Sequence, residues 1–547
     1  MEITGGQAIY EALVKLGVTK VFGIPSVHNI PIFDAILQGG KITPVITRHE
    51  QAAVHSADGY SRASGELGVV IASTGPGTTN TVTGIYEAAF ASSRVMLLTG
   101  QTESRDYGKG RAAGHEAENQ LPMLRTVARW VESPRYTQDL APAVFRCAAN
   151  ICTGRPQPGA LEIPIDLQYG MTAEPVGEPI AVPPVPPRMD RIDKAADLIG
   201  STSKRVIVAG GGVTNSDASD AVQKMAEALN APVFVSINGR GAIPDEHELA
   251  MGPFINRPQM REALQDAELV IAVGTRLRGP MRAWGHIPKL IHIDVDPAVH
   301  GLVSDPAVSI IADAKTSVDT LMDATNAQPG DGEFLERVQL ARRQVHSATR
   351  EVIGPDMEAI MDHMRKTMSA DTPFVRDMTT PAYAWGNELF PILEPRTTMN
   401  PNSGAIGPGL PMAIGAALAA NKKTVAIHGD GGVMLHIGEL ATAAQYQAPV
   451  VLCIFTDGGY GVLRGIQDRT FEGRTIGVDL ATPNFAMIAK GMGVEGETVK
   501  GVDEFRAAFG RAMEAEGPYV LDIDLNSLVP MKGFGKRIEF EQPSEAS

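Results

Sequence analysis

The chain has 547 residues, 44% of them hydrophobic and 20% charged, which is long enough for several globular domains and too apolar for a disordered protein. Its formal net charge of -15 argues against a nucleic-acid partner, because nucleic-acid affinity depends largely on Lys and Arg side chains that neutralise phosphates. The chain has three cysteines, no basic and apolar leader, and no unbroken apolar run as long as the roughly 18 residues of a membrane span. These features predict a cytoplasmic protein without a membrane partner.

The first predicted domain covers residues 1–172. Within it, residues 68–100 read GVVIASTGPGTTNTVTGIYEAAFASSRVMLLTG: an apolar run, a glycine-rich turn, a helix-length segment and a second apolar run. Such runs are typical of parallel strands that are buried on both faces and joined by a crossover helix. The proline-rich stretch EPVGEPIAVPPVPPR, residues 174–188, predicts an extended linker after this domain.

The same unit occurs twice more along the chain. Residues 205–238, RVIVAGGGVTNSDASDAVQKMAEALNAPVFVSIN, fall in a predicted middle domain, 187–335. Residues 423–459, KTVAIHGDGGVMLHIGELATAAQYQAPVVLCIFTDGG, fall in a third domain, 365–530, which a charged helical segment from Gly332 to Met368 precedes. Residues 531–547 form a tail without periodicity. The predicted fold class is α/β, with three doubly wound parallel-sheet domains.

Two aspartates in the third domain indicate a cofactor site. Asp430 and Asp457 follow the apolar runs TVAIH and PVVLCIF, so both are expected at the carboxyl ends of neighbouring strands, where ligands gather. Carboxylates suit Mg²⁺, and Gly431, Gly432 and a helix predicted from about Val433 offer N–H groups to a phosphate. The alternative is that each aspartate only caps a helix or turn. Two such units at this spacing favour a magnesium–diphosphate site.

This segment resembles the thiamine diphosphate motif of the superfamily that includes acetolactate synthase, benzoylformate decarboxylase and pyruvate decarboxylase. RHEQAAVHSADGYSRASG (48–65) is similar to the catalytic-glutamate segment of that family, STGPGTTN (73–80) to its glycine turn, and NSGAIGPGLPMAIGA (402–416) to the loop under the thiazolium ring. The sequence departs from the family at Asp457, where asparagine is usual. The resemblance implies pyrimidine-binding, middle Rossmann-like and diphosphate-binding domains, in that order.

The resemblance also implies thiamine diphosphate and Mg²⁺ as cofactors, with Asp430, Asp457 and the Gly459 carbonyl as metal ligands. It implies that Glu50 hydrogen-bonds the cofactor pyrimidine, although its place after an apolar run also suits a residue that merely stabilises a helix start. The other implied cofactor contacts are Gly75, Asn80, Thr379, Thr380, Gly404, Ile406, Gly431, Gly432, Tyr460 and Gly461.

For a member of this family, the implied reaction is decarboxylation of a 2-oxo acid, followed by protonation to an aldehyde or by attack on a second carbonyl. His115 and Glu116 stand where acetolactate synthases have Phe-Gln, Ile466 where they have tryptophan, and Pro280 where they have arginine, with Arg278 and Arg282 close by. These departures favour a decarboxylase, with an acetolactate synthase-type carboligase as the alternative.

Two histidines are candidates for proton transfer, because imidazole can both give and accept a proton near neutral pH. They are His28 and His115; the alternative is that each is structural. The elements VFGIPSVHN, GKGR and HE resemble the 5-guanidino-2-oxopentanoate decarboxylase branch, and Glu116 could pair with a guanidinium. Val27 and Ile466 complete the predicted substrate pocket.

The middle domain and the assembly raise two further expectations. The turn VIVAGGGVTNS could bind FAD, as in acetolactate synthases, but the segment GTRLRGP (274–280) departs from the flavin-contacting segment of those enzymes, so we predict no required flavin. A flavin-dependent enzyme like pyruvate oxidase and a catalytically silent subunit remain alternatives. Because the glutamate and the metal site of one active centre come from different chains in this family, the resemblance implies a homodimer or homotetramer with active sites at the interface.

Overall fold

The structure is a computed structural model and describes residues 2–277 and 288–532. It contains three six-stranded sheets, in each of which all neighbouring strands are parallel. Helices pack against the sheets, so the predicted class of three doubly wound α/β domains is confirmed. In the described part of the chain, no helix is long and apolar enough to cross a membrane.

The first sheet has the strand order β3-β2-β4-β5-β7-β6, and β1 and β8 form a separate antiparallel pair. The strands are β1 (Ile3–Thr4), β2 (Lys20–Gly23), β3 (Thr43–Ile46), β4 (Gly68–Ala72), β5 (Val95–Gln101), β6 (Trp130–Glu132), β7 (Gly159–Pro164) and β8 (Met171–Thr172). The helices are α1 (Gly5–Lys15), α2 (Ile30–Gly39), α3 (Glu50–Ser64), α4 (Pro76–Ala91), α5 (Gln120–Leu124), α6 (Leu140–Cys152) and α7 (Ile165–Tyr169). Strands β4, β5 and β7 are buried along their whole length, as their continuous apolar runs predict.

The second sheet has the order β11-β10-β9-β12-β13-β14. Its strands are β9 (Arg205–Ala209), β10 (Val233–Val235), β11 (Ala250–Gly252), β12 (Leu269–Val273), β13 (Lys289–Ile293) and β14 (Val308–Ile310). The helices are α8 (Met189–Gly200), α9 (Gly211–Asn215), α10 (Ser219–Leu229), α11 (Pro258–Ala263), α12 (Ala314–Ala324) and α13 (Gly332–Thr367). Helix α13 bends at Gly354, where φ is 79° and the next residue is Pro355.

The third sheet has the order β16-β15-β17-β18-β20-β19, which repeats the pattern of the first sheet. Its strands are β15 (Phe374–Arg376), β16 (Thr398–Met399), β17 (Thr424–Gly429), β18 (Val450–Thr456), β19 (Glu495–Val499) and β20 (Tyr519–Asp524). The helices are α14 (Gly409–Ala420), α15 (Asp430–Val433), α16 (Glu439–Gln445), α17 (Gly461–Thr470), α18 (Phe485–Gly491) and α19 (Gly501–Glu514).

The helix predicted from about Val433 differs from the structure. The chain forms the single turn of α15, breaks over residues 434–438, and becomes helical again at α16. Within the break, His436 Nδ1 lies 3.1 Å from the Gly407 carbonyl oxygen. A continuous helix would not place this side chain in the same way, and the sequence pattern carries no sign of this long-range contact.

Helices α3 and α14 join the first domain to the third through a contact between their backbones. A Cβ atom on Gly59 would lie 2.1 Å from the Met412 carbonyl oxygen, and a Cβ atom on Gly415 would lie 1.9 Å from the Ser56 carbonyl oxygen. Only glycine allows so close an approach. The contact matters for the candidate site because α3 begins at Glu50 and α14 follows the loop at residues 402–408.

Candidate active site

The predicted site residues gather at the carboxyl ends of strands in the first and third sheets. In both sheets the strand order reverses direction at one point, between β2 and β4 and between β15 and β17. The loops that leave these four strands carry His28, Gly75, Thr379 and Asp430, respectively. Doubly wound sheets bind ligands at such switch points, so the topology alone brings these residues to two crevices.

The crevice of the third sheet is acidic. Asp430 is buried, and its Oδ2 accepts hydrogen bonds from the N–H groups of Gly458 and Gly459, both at 2.9 Å. Burial raises the pKa of Asp430, and burial followed by the neighbouring charge of Asp430 raises the pKa of Asp457 to about 6. Arg464 Nη1 lies 3.7 Å from Asp457 Oδ2 and Arg464 Nε lies 2.8 Å from Asp479 Oδ1, so this guanidinium is shared between two carboxylates.

Bare backbone lines the same crevice. A Cβ atom on Gly461 would lie 1.8 Å from Asp457 Oδ2, and one on Gly431 would lie 2.7 Å from the ring of Tyr460. A Cβ atom on Gly429 would lie 2.9 Å from Thr379 Oγ1, and Thr380 follows as a half-buried residue. Thr379, Tyr460 and the glycines therefore surround the acidic pair, and any larger side chain at these glycine positions would fill the crevice.

The oxygen atoms that line the acidic crevice suit a cation bound by few protein ligands. Within residues 2–277 and 288–532, no group of three or more His, Cys, Asp or Glu side chains is placed to hold a metal ion. A cation in this crevice would therefore take Asp430, Asp457 and a backbone carbonyl such as that of Gly459, with its other positions left to a ligand and water. Mg²⁺ commonly binds in that way, through one or two carboxylates plus phosphate oxygens.

A loop from residue 402 to 408 lies next to this crevice and carries Gly404 and Ile406. The carboxylate of Asp377 accepts hydrogen bonds from Gly407 N at 3.0 Å and Gly409 N at 2.8 Å, and lies 3.2 Å from His428 Nε2. Burial would raise the pKa of Asp377, but His428 and the two N–H groups outweigh it and lower the pKa. Asp377 is not among the residues predicted from sequence, because a single aspartate after the three-residue strand β15 forms no motif.

The crevice of the first sheet holds Glu50 and the glycine turn. Glu50 is the first residue of α3, and its Oε2 accepts a hydrogen bond from Asn80 Nδ2 at 2.9 Å. Gly75 has φ 59°, and a Cβ atom there would lie 2.6 Å from the carbonyl oxygen of His115. The N–H of Gly75 donates to Oε1 of the buried Gln120 at 2.8 Å, a contact that the sequence pattern did not indicate.

The two histidines predicted for proton transfer lie together. The Nδ1 atoms of His28 and His115 are 3.3 Å apart, and burial followed by the proximity of His115 lowers the pKa of His28. Glu116 Oε2 accepts from Ala113 N at 3.1 Å, whereas Glu116 Oε1 is buried without a hydrogen-bond partner in the described part of the chain. Val27, beside His28, is 67% exposed.

The single chain therefore presents two half-sites. The histidine half-site contains Val27, His28, Glu50, Gly75, Asn80, His115 and Glu116. The acidic half-site contains Thr379, Thr380, Gly404, Ile406, Asp430, Gly431, Gly432, Asp457, Gly459, Tyr460, Gly461 and, on α17, the half-buried Ile466. Arg278, Pro280 and Arg282 lie outside the described residues.

A further cleft of about 910 Å³ opens over the carboxyl ends of the middle sheet and extends to Gly404 of the acidic half-site. Its lining includes Gly211 and Gly212 from the predicted glycine turn, and Asp294 and Asp313 after β13 and β14. This volume is at the upper end of the range of ligand pockets and is large enough for a nucleotide-sized ligand. The expectation of no required flavin stays a prediction, because part of segment 274–280 lies outside the described residues.

The acidic crevice of the third sheet and the crevice of the first sheet, with its glycine turn, both lie at switch points of parallel sheets. This arrangement is typical of cofactor-binding α/β proteins. Three family models match the chain: the thiamine pyrophosphate enzyme N-terminal TPP binding domain at residues 3–123, the central domain at 192–321 and the C-terminal TPP binding domain at 379–523. The chain belongs to the thiamine pyrophosphate enzyme family. The predicted superfamily is confirmed, and the two TPP-binding domains support thiamine diphosphate as the cofactor.

Curated relatives cover almost the whole chain. It is 32% identical to a probable acetolactate synthase large subunit of Methanocaldococcus jannaschii, over 98% of this chain and 94% of that protein. It is 30% identical to a probable 2-ketoarginine decarboxylase of Pseudomonas aeruginosa, over 93% and 92% of the two chains. It is also 30% identical to the acetolactate synthase large subunit of Corynebacterium glutamicum, over 95% and 86%.

Proposed function

We propose that this protein is a thiamine diphosphate- and Mg²⁺-dependent decarboxylase of a 2-oxo acid. The observation that carries the proposal is the pair of histidines, His28 and His115, in the histidine half-site. Release of an aldehyde requires delivery of a proton to the carbon that loses carbon dioxide, whereas carboligation uses that carbon to attack a second carbonyl. A hydrogen-bonded imidazole pair is suited to the first outcome.

The acidic half-site would hold the cofactor through its diphosphate. Asp430, Asp457 and the Gly459 carbonyl would bind Mg²⁺, and Thr379, Thr380 and the N–H groups of Gly431 and Gly432 would donate to phosphate oxygens. When bound, thiamine diphosphate supplies the electron sink for the electron pair that the departing carboxylate leaves behind. The protein contributes binding, orientation and exclusion of water.

Proton transfer would involve three side chains of the histidine half-site. Asn80 engages Glu50 Oε2, which leaves Oε1 for a proton on the cofactor's pyrimidine nitrogen. The Nδ1 atoms of His28 and His115 are 3.3 Å apart, so one ring can donate a proton to the other, and the Nε2 atoms would be left for the reacting carbon and for solvent. His115 is exposed, so the pair can recover a proton from water after each turnover.

Both half-sites would meet only when two chains associate. The proposal is therefore a homodimer or homotetramer in which the histidine half-site of one chain completes the acidic half-site of its partner. The resemblance supports this assembly, because the glutamate and the metal site of one active centre come from different chains in the family. The three cysteines are all free, which agrees with a reducing, cytoplasmic location.

For the substrate, we favour a 2-oxo acid with a guanidinium side chain. Glu116 Oε1 is buried and has no hydrogen-bond partner among the described residues, and a guanidinium could bind this carboxylate through a charge-assisted pair. The likeness to a probable 2-ketoarginine decarboxylase supports the same class. Glu116→Gln should raise KM for 5-guanidino-2-oxopentanoate about tenfold with little effect on kcat, whereas an unchanged KM would remove Glu116 from substrate recognition.

The second candidate function is acetolactate synthase-type carboligation, which the likeness to two acetolactate synthases favours. Substitution of the histidine pair distinguishes the two. His28→Asn and His115→Asn should each reduce aldehyde formation by about 100- to 10,000-fold, the usual contribution of a proton-transfer group. His247→Asn is the control, because His247 pairs with Glu227 on the surface of the middle domain. A full rate of product formation in both pair variants would contradict proton delivery by this pair.

A further inference from the structure

Glu87 is not one of the predicted site residues. It is completely buried on α4 and contacts the loop of the acidic half-site, residues 402–408. Its Oε1 accepts a hydrogen bond from Asn402 N at 2.6 Å, and its Oε2 accepts one from Ser403 N at 2.9 Å. The hydroxyl of Ser403 also donates to Oε2. A carboxylate of the first domain is thus bound by three donors from two adjacent residues of the third.

The far end of the same loop is held by a second buried carboxylate. Asp377 accepts hydrogen bonds from the N–H groups of Gly407 and Gly409. Between the two anchors lies the segment Gly404 to Ile406. Gly404 is exposed with φ 85°, and beyond its chain neighbours no atom of residues 2–277 or 288–532 lies within 4 Å of where its Cβ would be. This short segment has little packing of its own, so its position depends on the residues that hold its ends.

Two arginines nearby do not replace the Glu87 contact. Arg62 Nη1 donates to the carbonyl oxygen of Asn400 at 3.0 Å, and Arg376 Nη2 donates to its side-chain oxygen at 3.1 Å. Both fix residue 400, two residues before the start of the anchored segment. The N–H groups of Asn402 and Ser403 have Glu87 as their hydrogen-bond partner.

Helix α4 also carries Asn80, which orients Glu50. Asn80 and Glu87 are seven residues apart, which is two helical turns and about 10 Å along the axis, so both project from one side of α4. The same helix therefore sets the orientation of the glutamate in the histidine half-site and the start of the loop in the acidic half-site.

We propose that Glu87 is a positioning residue that fixes the Gly404–Ile406 segment for cofactor binding before the cofactor arrives. The inference rests on the proposed function and on the contacts of Gly404 and Ile406 with thiamine diphosphate that the family resemblance implies. Hydrogen bonds from backbone N–H groups to a carboxylate are stronger than those between neutral groups. Removal of the Glu87 carboxylate would leave the N–H groups of Asn402 and Ser403 without their acceptor and the start of the loop without its anchor.

Glu87→Gln tests the proposal by removing the charge and turning one acceptor into a donor that opposes an N–H group. We expect thiamine diphosphate to bind about tenfold more weakly at fixed Mg²⁺, measured by quenching of intrinsic fluorescence; tenfold corresponds to about 1.4 kcal/mol. In the cofactor-free protein, amide hydrogen exchange over residues 402–406 should accelerate. Ser403→Ala, which removes only the hydroxyl donor, should give a smaller change in the same direction.

Asp245→Asn is the matched control. Asp245 Oδ2 accepts from Arg240 Nη2 at 2.6 Å and from Ile392 N at 2.9 Å, so it also joins two domains through a carboxylate but does not touch the loop. This variant should lower the melting temperature while exchange over 402–406 stays as in the wild type. Equal cofactor affinity and equal loop exchange in Glu87→Gln and wild type would overturn the proposal.

The wild-type protein provides a test that does not depend on whether a Glu87 variant folds. The amides of Asn402 and Ser403 should exchange much more slowly than those of the exposed turn at Gly108–Gly110, and rapid exchange at both would overturn the proposal. Addition of thiamine diphosphate and Mg²⁺ should further protect residues 404–406. If that protection is missing in the wild type, the proposed cofactor contacts fail; if it occurs and Glu87→Gln behaves as the wild type, only the role of Glu87 fails.

Discussion

The contact between α3 and α14 gives a sharp prediction for Gly415→Ala. The new methyl group would lie 1.9 Å from the carbonyl oxygen of Ser56, and Cβ atoms essentially never approach other heavy atoms within 3.0 Å. The obstacle is backbone rather than the end of a flexible side chain. The two helices must therefore separate by about 1 Å, which is an overpacking change.

Two consequences of this separation can be measured. Overpacking of a closely packed contact costs about 1–3 kcal/mol of stability. Because α3 begins at Glu50 and α14 follows the loop of the acidic half-site, a shift of about 1 Å also displaces groups on which catalysis depends, and such a displacement can lower the rate about 100-fold. Gly415→Ala should thus lose both stability and kcat.

Gly510→Ala is the control for this prediction. Gly510 lies inside α19, and outside the local helix backbone no atom of the described part of the chain lies within 4 Å of where its Cβ would be. Alanine there should gain about 0.5–1 kcal/mol from helix propensity. Urea unfolding and steady-state kinetics on both variants provide the comparison. A Gly415→Ala protein with wild-type stability and wild-type kcat would refute the inferred backbone contact and its link to Glu50.

Three further predictions follow from the site and the core. Dialysis against EDTA should abolish activity, and Mg²⁺ with thiamine diphosphate should restore it in the wild type but not in Asp430→Ala, because the acidic crevice would lose its central ligand. The free energy of unfolding should fall as pH drops from about 7 to 5, because burial lowers the pKa of His55 to about 3 and of His292 to about 4. Below pH 6.5 the unfolded chain therefore binds more protons than the folded chain, which costs about 1.4 kcal/mol of stability per pH unit for each histidine. His292→Gln should flatten the pH dependence of urea unfolding, and an unchanged pH dependence would contradict this explanation. The purified protein should be colourless, and a stoichiometric flavin absorbance band would contradict the prediction of no required flavin.

The fold class and the family could be predicted because their signals are local in sequence. Each apolar run with a glycine turn and a helix became a parallel βαβ unit, and β17 and β18 pair as neighbours, so that Asp430 and Asp457 leave adjacent strands. Strand order, by contrast, depends on contacts between distant segments. The repeat of one order in the first and third sheets, which places both half-sites at switch points, is visible only in the structure.

The structural supports of the site were missed for the same reason. Asp377 and Glu87 act through hydrogen bonds to loop N–H groups, and Glu87 meets its partners from 315 residues away in sequence. A buried acidic residue within an ordinary helix carries no motif. The sequence indicated His28 and His115 as candidates for proton transfer but predicted no contact between them. These residues are 87 apart in the chain, and their 3.3 Å approach is visible only in the structure.

Product analysis by NMR tests the central proposal most directly. Protein stripped of cofactors would receive thiamine diphosphate, Mg²⁺ and a panel of 2-oxo acids that includes pyruvate and 5-guanidino-2-oxopentanoate. We predict release of an aldehyde from the guanidino acid or another large 2-oxo acid, with pyruvate left unchanged. Formation of acetolactate from pyruvate would contradict the decarboxylase and establish a carboligase.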